Sequence, residues 1–533
     1  MNAGPYLPKI SDLQAGLFVA LVGIPQCLAY AMLSGLPPMY GLVTAAIPGM
    51  IAALAGKSAG VTVGPTNTTG LIILTSLSPW AGQPDLLLTA MATLAFLAGL
   101  SRLFIVLMRA ERIFDFVPEA VMVGFATGAA IIIALMQLDE FLGAPFSNVR
   151  NVVDEIRLLF QFDWAQFSFS SFLLATIALA SVILGKRYVP KIPVPLMVLV
   201  ISIILVAFNL TPMAEEWITL GDTTVINDGW PKLAQTFPGW SMIQALIIPG
   251  FAVAFIGSLE LIVTLRNRQE PALLRRELGS QGLANLVGSL TGAFPASTSL
   301  TRSVLLDIGG ARTLWAPFIA ALVLIPIILF GSDAIRSIPQ PVIAGLLIAT
   351  ALSMLKPAAI RQMLRVNSAT RSLFLVTVFS TLILNFHEAI LLGAALGIVM
   401  FLFQASQTSL YLYRVNERQI LEPVKTPEQC DHLLIQVSGS LYFAAARQLP
   451  DRLDALICES TKTLTLDLGH AHHARVAAVQ ALLNFAEHCQ HRGIRLDISS
   501  PSPELKQLTH SMGVRLPWSD QTLHMHLSRE QTP

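Results

Sequence analysis

What most constrains this chain is its series of apolar runs long enough to cross a lipid bilayer. A membrane helix needs about 20 consecutive, mainly apolar residues, and stretches such as residues 13–35, 86–108 and 241–265 reach that length. Of the 533 residues, 54% are hydrophobic and only 13% charged, with a mean hydropathy of +0.64. A soluble domain carries about 25% charged residues, so a single water-soluble core is excluded. The chain reads as a polytopic α-helical membrane protein. Its net charge of +1 is spread among short loops and points to no nucleic acid. Its four cysteines suggest neither a disulfide framework nor a zinc site. Residues 1–12 lack the charged start and cleavage site of a signal peptide, so the first apolar run is expected to stay.

Breakers and hydropathy divide residues 13–410 into 14 segments. The first seven cover 13–35, 39–56, 65–79, 86–108, 117–138, 168–187 and 193–209. The second seven cover 241–265, 277–293, 298–308, 312–331, 339–356, 371–386 and 388–410. Basic residues mark alternate connections: Arg109 and Arg112, then Lys186, Arg187 and Lys191, then Arg266, Arg268, Arg275 and Arg276, and last Arg361, Arg365 and Arg371. By the positive-inside rule these face the cytoplasm, whereas residues 139–163 and 215–228 are mixed or acidic. Both chain ends are then cytoplasmic, and the expected location is the inner (plasma) membrane.

The third and tenth segments are short and interrupted. GPTNTTGLIILTSL (64–77) and FPASTSLTRSVLL (294–306) each open on a proline followed by hydroxyl side chains, and each holds third place in its set of seven. Seven is odd, so the second set would run inverted to the first. Broken helices at equivalent places of two inverted halves are the best sequence pointer to a transporter's midplane site. Facing helix N-termini would attract an anion through unpaired N–H groups and the positive end of the dipole. In the alternative reading, Pro65 and Pro295 merely kink ordinary helices. After residue 413, LLIQVSG, LYFAAA, TLTLDLG and IRLDIS look like strands, and VAAVQALLNFAEHCQHRG and PELKQLTHSMG like helices. A linker over 411–426 and a small α/β domain over 427–528 are expected.

These features together resemble the SulP family of anion transporters (solute carrier family 26), over nearly the whole chain. DLQAGLFVALVGIPQCLAYAMLSGLPPMYGLVTA from Asp12 is similar to the family's first-helix signature, and VGPTN at Val63 to its third-helix opening. AFIGSLELIVTLR from Ala254 resembles the eighth helix with its membrane carboxylate. QGLANLVGSLTGAFPASTSLTRS from Gln281 resembles the ninth-to-tenth-helix motif, and the C-terminal domain is similar to a STAS domain. The resemblance implies two inverted seven-segment repeats (13–209 and 241–410) of the kind shared with uracil permeases. Helices 1–4 and 8–11 would form a core, and 5–7 and 12–14 a gate. It also implies inorganic or carboxylate anions as substrates, and a homodimer.

On this frame Arg302, one turn into a half-helix, would hold the desolvated anion. The competing reading is that it snorkels to the cytoplasmic surface. Ser299, Leu300 and Thr301 would present backbone N–H groups, facing Pro65, Thr66, Asn67 and Thr68 of the other half-helix. The family usually has glycine at Thr298, which would make that residue a place where substrate choice differs. Gln26 and Tyr30 share a helix face and could line the same cavity, although Gln26 could instead cap a proline kink and Tyr30 be core. Glu260 is the one carboxylate inside an apolar run of the eighth segment, with Thr264 four residues on. A proton on Glu260 would compensate anion entry; sodium held with Thr264, or a plain ion pair with an arginine, are the alternatives.

In STAS-like relatives a Ser or Thr after the central strand is phosphorylated. Here Arg475, Val476 and Ala477 stand there, so docking of a cytoplasmic protein partner is the expected use of the domain. His470, His472 and His473 lack a second ligand cluster and read as surface residues. No nucleophile–base pair, phosphate loop or cofactor motif occurs, so no enzyme or cofactor is expected. The rival functions are an uncoupled channel or exchanger, a membrane sensor signalling through the C-terminal domain, and a nucleobase permease, which Arg302 fits poorly.

Overall fold

The structure is a computed structural model that describes residues 8–111, 114, 117–143, 167–189, 192–224, 226, 228–265, 271–405, 408–415, 421–424, 431–441 and 443–519. Arg112, Lys191, Arg266 and Arg268 of the basic connections, most of the 139–163 connection, 416–420 and 425–426 of the expected linker, and 427–430, 442 and 520–528 of the expected C-terminal domain lie outside the described residues. Residues 1–397 form one compact unit and 398–533 a second.

The membrane segments follow the expected order. The first repeat holds α1 (Ile10–Leu33), α2 (Pro38–Gly56), α3 (Asn67–Leu77), α4 (Pro84–Leu107), α5 (Glu119–Leu135), α6 (Phe169–Tyr188) and α7 (Val194–Ala207). The second holds α8 (Trp240–Leu265), α9 (Pro271–Leu290), α10 (Leu300–Ile308), α11 (Trp315–Phe330), α12 (Gln340–Met354), α13 (Ser368–Ile383) and α14 (Phe386–Ala405). Helices α3 and α10 have 11 and 9 residues, enough for about half the hydrocarbon thickness at roughly 1.5 Å per residue.

Local chemistry explains where these half-helices start. Pro65 biases Gly64 towards extended backbone, and Thr66 then caps α3 by accepting from the Thr69 N–H. Ser299 caps α10 the same way, accepting from the Arg302 N–H. Ahead of each cap lies a two-residue strand, β1 (Val63–Gly64) and β2 (Ser297–Thr298). The strands pair antiparallel, Val63 opposite Thr298 and Gly64 opposite Ser297. Each short strand thus satisfies backbone groups that water cannot reach.

Packing separates two groups of helices. Helices α1, α2, α4, α8, α9 and α11 enclose the paired strands and half-helices, with α4 on α8 and α9, and α2 on α1, α9 and α11. The other group packs α5 on α12 and α13, and α6 on α7 and α12. Helix α14 joins it through Gly393, which lies against Val121 and Thr377.

The second unit is a five-stranded mixed sheet in the order β4 (Leu421–Val424), β3 (Ser409–Val415), β5 (His432–Ser440), β6 (Thr463–His472), β7 (Arg495–Ser499). Strands β5, β6 and β7 are parallel, and β3 is antiparallel to both its neighbours. Leu433, Ile435, Leu464, Leu466 and Ile498 bury the parallel strands against α15 (Phe443–Asp454) and α16 (Val476–His491); α17 (Pro503–Ser511) follows. Two expectations change. Of LYFAAA, read as a strand, residues 443–446 open α15, because Ala445, Ala446, Leu449 and Leu453 fall on one buried face at helical spacing. The stretch 411–426, read as a linker, supplies most of β3 and all of β4, because Leu410 and Leu412 pack on the sheet's core.

Candidate functional site

The antiparallel strands β1 and β2 form the floor of the site, and a half-helix follows each of them. The Ser299 N–H extends the ladder to the Thr62 carbonyl at 2.9 Å, and Ser303 Oγ accepts from the Thr62 N–H at 3.0 Å. Ser299 therefore spends its N–H on the ladder and its hydroxyl on the cap of α10. Leu300 and Thr301 are exposed and occupy the first helical positions, whose N–H groups have no intrahelical acceptor. Asn67 and Thr68, half-buried, hold the same positions in α3. Asn67 donates to Met354 Sδ at 2.8 Å, and its Oδ1 accepts from the Thr68 N–H.

Arg302 does not reach the surface; it is 4% exposed. Its Nη2 donates to the Pro65 carbonyl at 2.9 Å, and its Nη1 to Cys27 Sγ at 3.3 Å. The guanidinium packs on Gly64, where a Cβ would stand 2.8 Å from Nη2, so only glycine admits it. Its Nε has no partner, and it borders a cavity of about 20 Å³ between α1, α2 and α11, room for about one water. The α10 arginine is thus fastened to the chain just ahead of α3.

Glu260, 9% exposed, accepts hydroxyl hydrogen bonds from Thr66 (3.4 Å) and from Thr68. Thr264, expected to stand beside this carboxylate, donates instead to the Glu260 backbone carbonyl at 2.8 Å, because a threonine mid-helix reaches the carbonyl four residues back. Gln26 on α1 leaves its Oε1 buried and unpartnered. Tyr30 is buried one turn on. Thr298 spends its hydroxyl oxygen on Gln281 of α9, accepting from the amide Nε2 at 2.7 Å.

One residue escaped the sequence reading. Arg102 of α4 is fully buried and donates to the Ala296 carbonyl and to Ser297 Oγ, both at 2.7 Å. It is also within electrostatic reach of Glu260. Its signal was an arginine inside an apolar run, the same kind of signal that singled out Glu260.

Comparison with known proteins agrees with this architecture. The sequence pattern of the sulfate permease family matches residues 10–379. The chain belongs to the sulfate permease family. Like the rest of this family it is a multi-pass membrane anion transporter and not an enzyme. The STAS-domain pattern matches residues 423–524 of the permease. It is 27% identical to "Probable sulfate transporter 4.2" of Arabidopsis thaliana, over 93% of this chain and 76% of that protein. It is 25% identical to "Putative sulfate transporter YvdB" of Bacillus subtilis, over 94% and 93%. The murine solute carrier family 26 member A9 in its inward-facing state shares the fold, with a TM-score of 0.81 at 18% identity over 96% of this chain and 88% of that one. The transmembrane domain of the cyanobacterial bicarbonate transporter BicA matches with a TM-score of 0.59 at 22% identity, over 73% and 96%.

Proposed function

We infer that the permease moves a small anion of the sulfate class inward together with a proton. The anion would sit between the first turns of α3 and α10, lined by Thr66, Asn67, Thr68, Ser299, Leu300 and Thr301, with the first-turn N–H groups of Asn67, Leu300 and Thr301 turned to it. Gln26 and Tyr30 would form the α1 wall, and Arg302, bonded to Pro65, would hold the two halves in register while adding positive charge. Relatives named as sulfate transporters make sulfate the first candidate. The core helices would carry this site past the gate helices between the two membrane faces. The basic connections, Arg109, Lys186, Arg187, Arg275, Arg276, Arg361, Arg365 and Arg371 among them, support a topology with both ends in the cytoplasm, at the plasma (inner) membrane.

One observation carries the proton: Glu260 accepts from Thr66 and Thr68, the cap and first turn of α3. A change of charge on that carboxylate is felt directly by the helix end that would face the anion. Moving each net charge against the membrane potential costs about 2.3 kcal/mol per 100 mV, so a dianion entering with a proton meets half the opposition of the dianion alone. The same oxygens could hold sodium in place of the proton, and the experiment separates the two. Radiolabelled sulfate uptake into proteoliposomes is measured with imposed proton and sodium gradients in turn. Stimulation by an inward proton gradient, lost in Glu260→Gln, is expected. Stimulation by sodium alone, or a pH dependence unchanged in Glu260→Gln, would remove the proton from the reading.

A further inference from the structure

The paired strands are flanked by two buried guanidiniums. Arg302 holds the Pro65 carbonyl after β1; Arg102 holds the Ala296 carbonyl before β2 and the Ser297 hydroxyl within it. These hydrogen-bond partners, and Cys27 of Arg302, are neutral, so the bonds satisfy donors without cancelling charge. Arg102 lies over α8 at Gly257, where a Cβ would be 2.0 Å from its Nη2 and 2.3 Å from Ser297 Oγ. Glu260 follows three residues later on the same face of α8. The groups acting on that carboxylate are Thr66 and Thr68 from α3, Arg102 from α4 and Arg302 from α10, with Tyr30 of α1 also within electrostatic reach.

We propose that Arg102 is a selectivity residue: it acts as the second fixed cation that makes the site prefer a divalent to a monovalent anion. The charge balance is simple. Two guanidiniums and an ionised Glu260 sum to +1; with Glu260 protonated the sum is +2, which a dianion neutralises. Without Arg102 the same two states are 0 and +1, which suit a monoanion at best. In a medium of low effective dielectric, one unit of fixed charge weighs heavily on a nearby anion. The proposal rests on the transport reading above and sharpens it, because the dianion and the proton become a matched pair.

The test measures initial rates of radiolabelled sulfate and chloride uptake by proteoliposomes of the full chain, and reads their ratio. Arg102→Gln is expected to lower the sulfate-to-chloride ratio by about tenfold or more. Arg102→Lys keeps the charge without the two-armed grip and is expected to stay within about threefold of wild type. A ratio unchanged in Arg102→Gln would overturn the proposal. So would a loss in Arg102→Lys as deep as in Arg102→Gln, which would make the residue a structural clasp alone. If Arg102→Gln does not fold, the wild-type ratio decides: it should rise on acidification, and in Glu260→Gln it should stay high and cease to depend on pH. A wild-type ratio that does not change with pH would then overturn the proposal. A Glu260→Gln protein without altered proton dependence, beside an Arg102→Gln protein with a collapsed ratio, would remove proton coupling and leave the role of Arg102 standing.

Discussion

Thr68, in the first turn of α3, donates its hydroxyl to the carboxylate of Glu260 on α8. One residue belongs to the first repeat and the other to the second, so the bond ties a candidate anion-binding turn to a candidate proton carrier. Thr68→Val removes the donor while keeping the shape. Sulfate uptake in proteoliposomes is expected to fall by about tenfold or more, the scale of one hydrogen bond to a charged group. Thr68→Ser, which restores the hydroxyl, is expected to recover most of the rate.

Arg302 bonds to Pro65 and Cys27 with a planar, two-armed group that lysine cannot copy. Arg302→Lys is expected to lower uptake by about tenfold or more. Cys27→Ser, which keeps a small polar acceptor for Nη1, is expected to stay within about threefold of wild type, since the bond to Pro65 remains. Uptake assays on the two variants, side by side, check both statements.

Gly257 leaves no room for a methyl group beside Arg102 and Ser297, whereas nothing lies within 4 Å of a Cβ built at Gly279 on α9. Gly257→Ala is expected to destabilise the membrane unit by about 1–3 kcal/mol through overpacking. Gly279→Ala is expected to be neutral or stabilising by up to about 1 kcal/mol, from helix propensity. Melting of the detergent-solubilised chain reads the difference.

His432, at the start of β5, bonds to Thr465 at 2.9 Å, and burial pushes its imidazole below the ordinary value of 6.5, against the opposing pull of Asp497. The unfolded state then takes up the proton first as pH falls, so the sheet is stable above pH 6.5 and loses stability as acidification approaches the folded-state value. Amide-exchange protection factors in β5 should fall in that window. His432→Asn should flatten the dependence.

Strand β3 starts at Ser409 and pairs with β5 from its first residue. A chain ending at Arg414 would therefore carry most of a strand without its partners, an open edge prone to aggregation. A chain ending at Ala405 would not. Size-exclusion profiles should show the chain ending at Arg414 aggregating and the chain ending at Ala405 monodisperse.

Hydropathy alone carried the membrane architecture, because a bilayer leaves a polypeptide few ways to satisfy its backbone and each spanning segment must be long and apolar. The short, proline-opened third and tenth segments were legible for the same reason, as were Glu260 and Arg302, costly residues that stand out against apolar neighbours. The C-terminal domain was less legible: LYFAAA carries apolar residues that suit a strand or a buried helix face, and only packing on the sheet chose the helix. Within the site, sequence spacing placed Thr264 beside Glu260 and left Thr298 free to face an anion. Tertiary structure turned the first to a backbone carbonyl and the second to Gln281. It also brought Arg102, 194 residues before Ala296, onto that residue's carbonyl. Spacing along one helix says which residues share a face; which partners wait there depends on the elements that pack against it, and for Glu260 those are α3, α4 and α10.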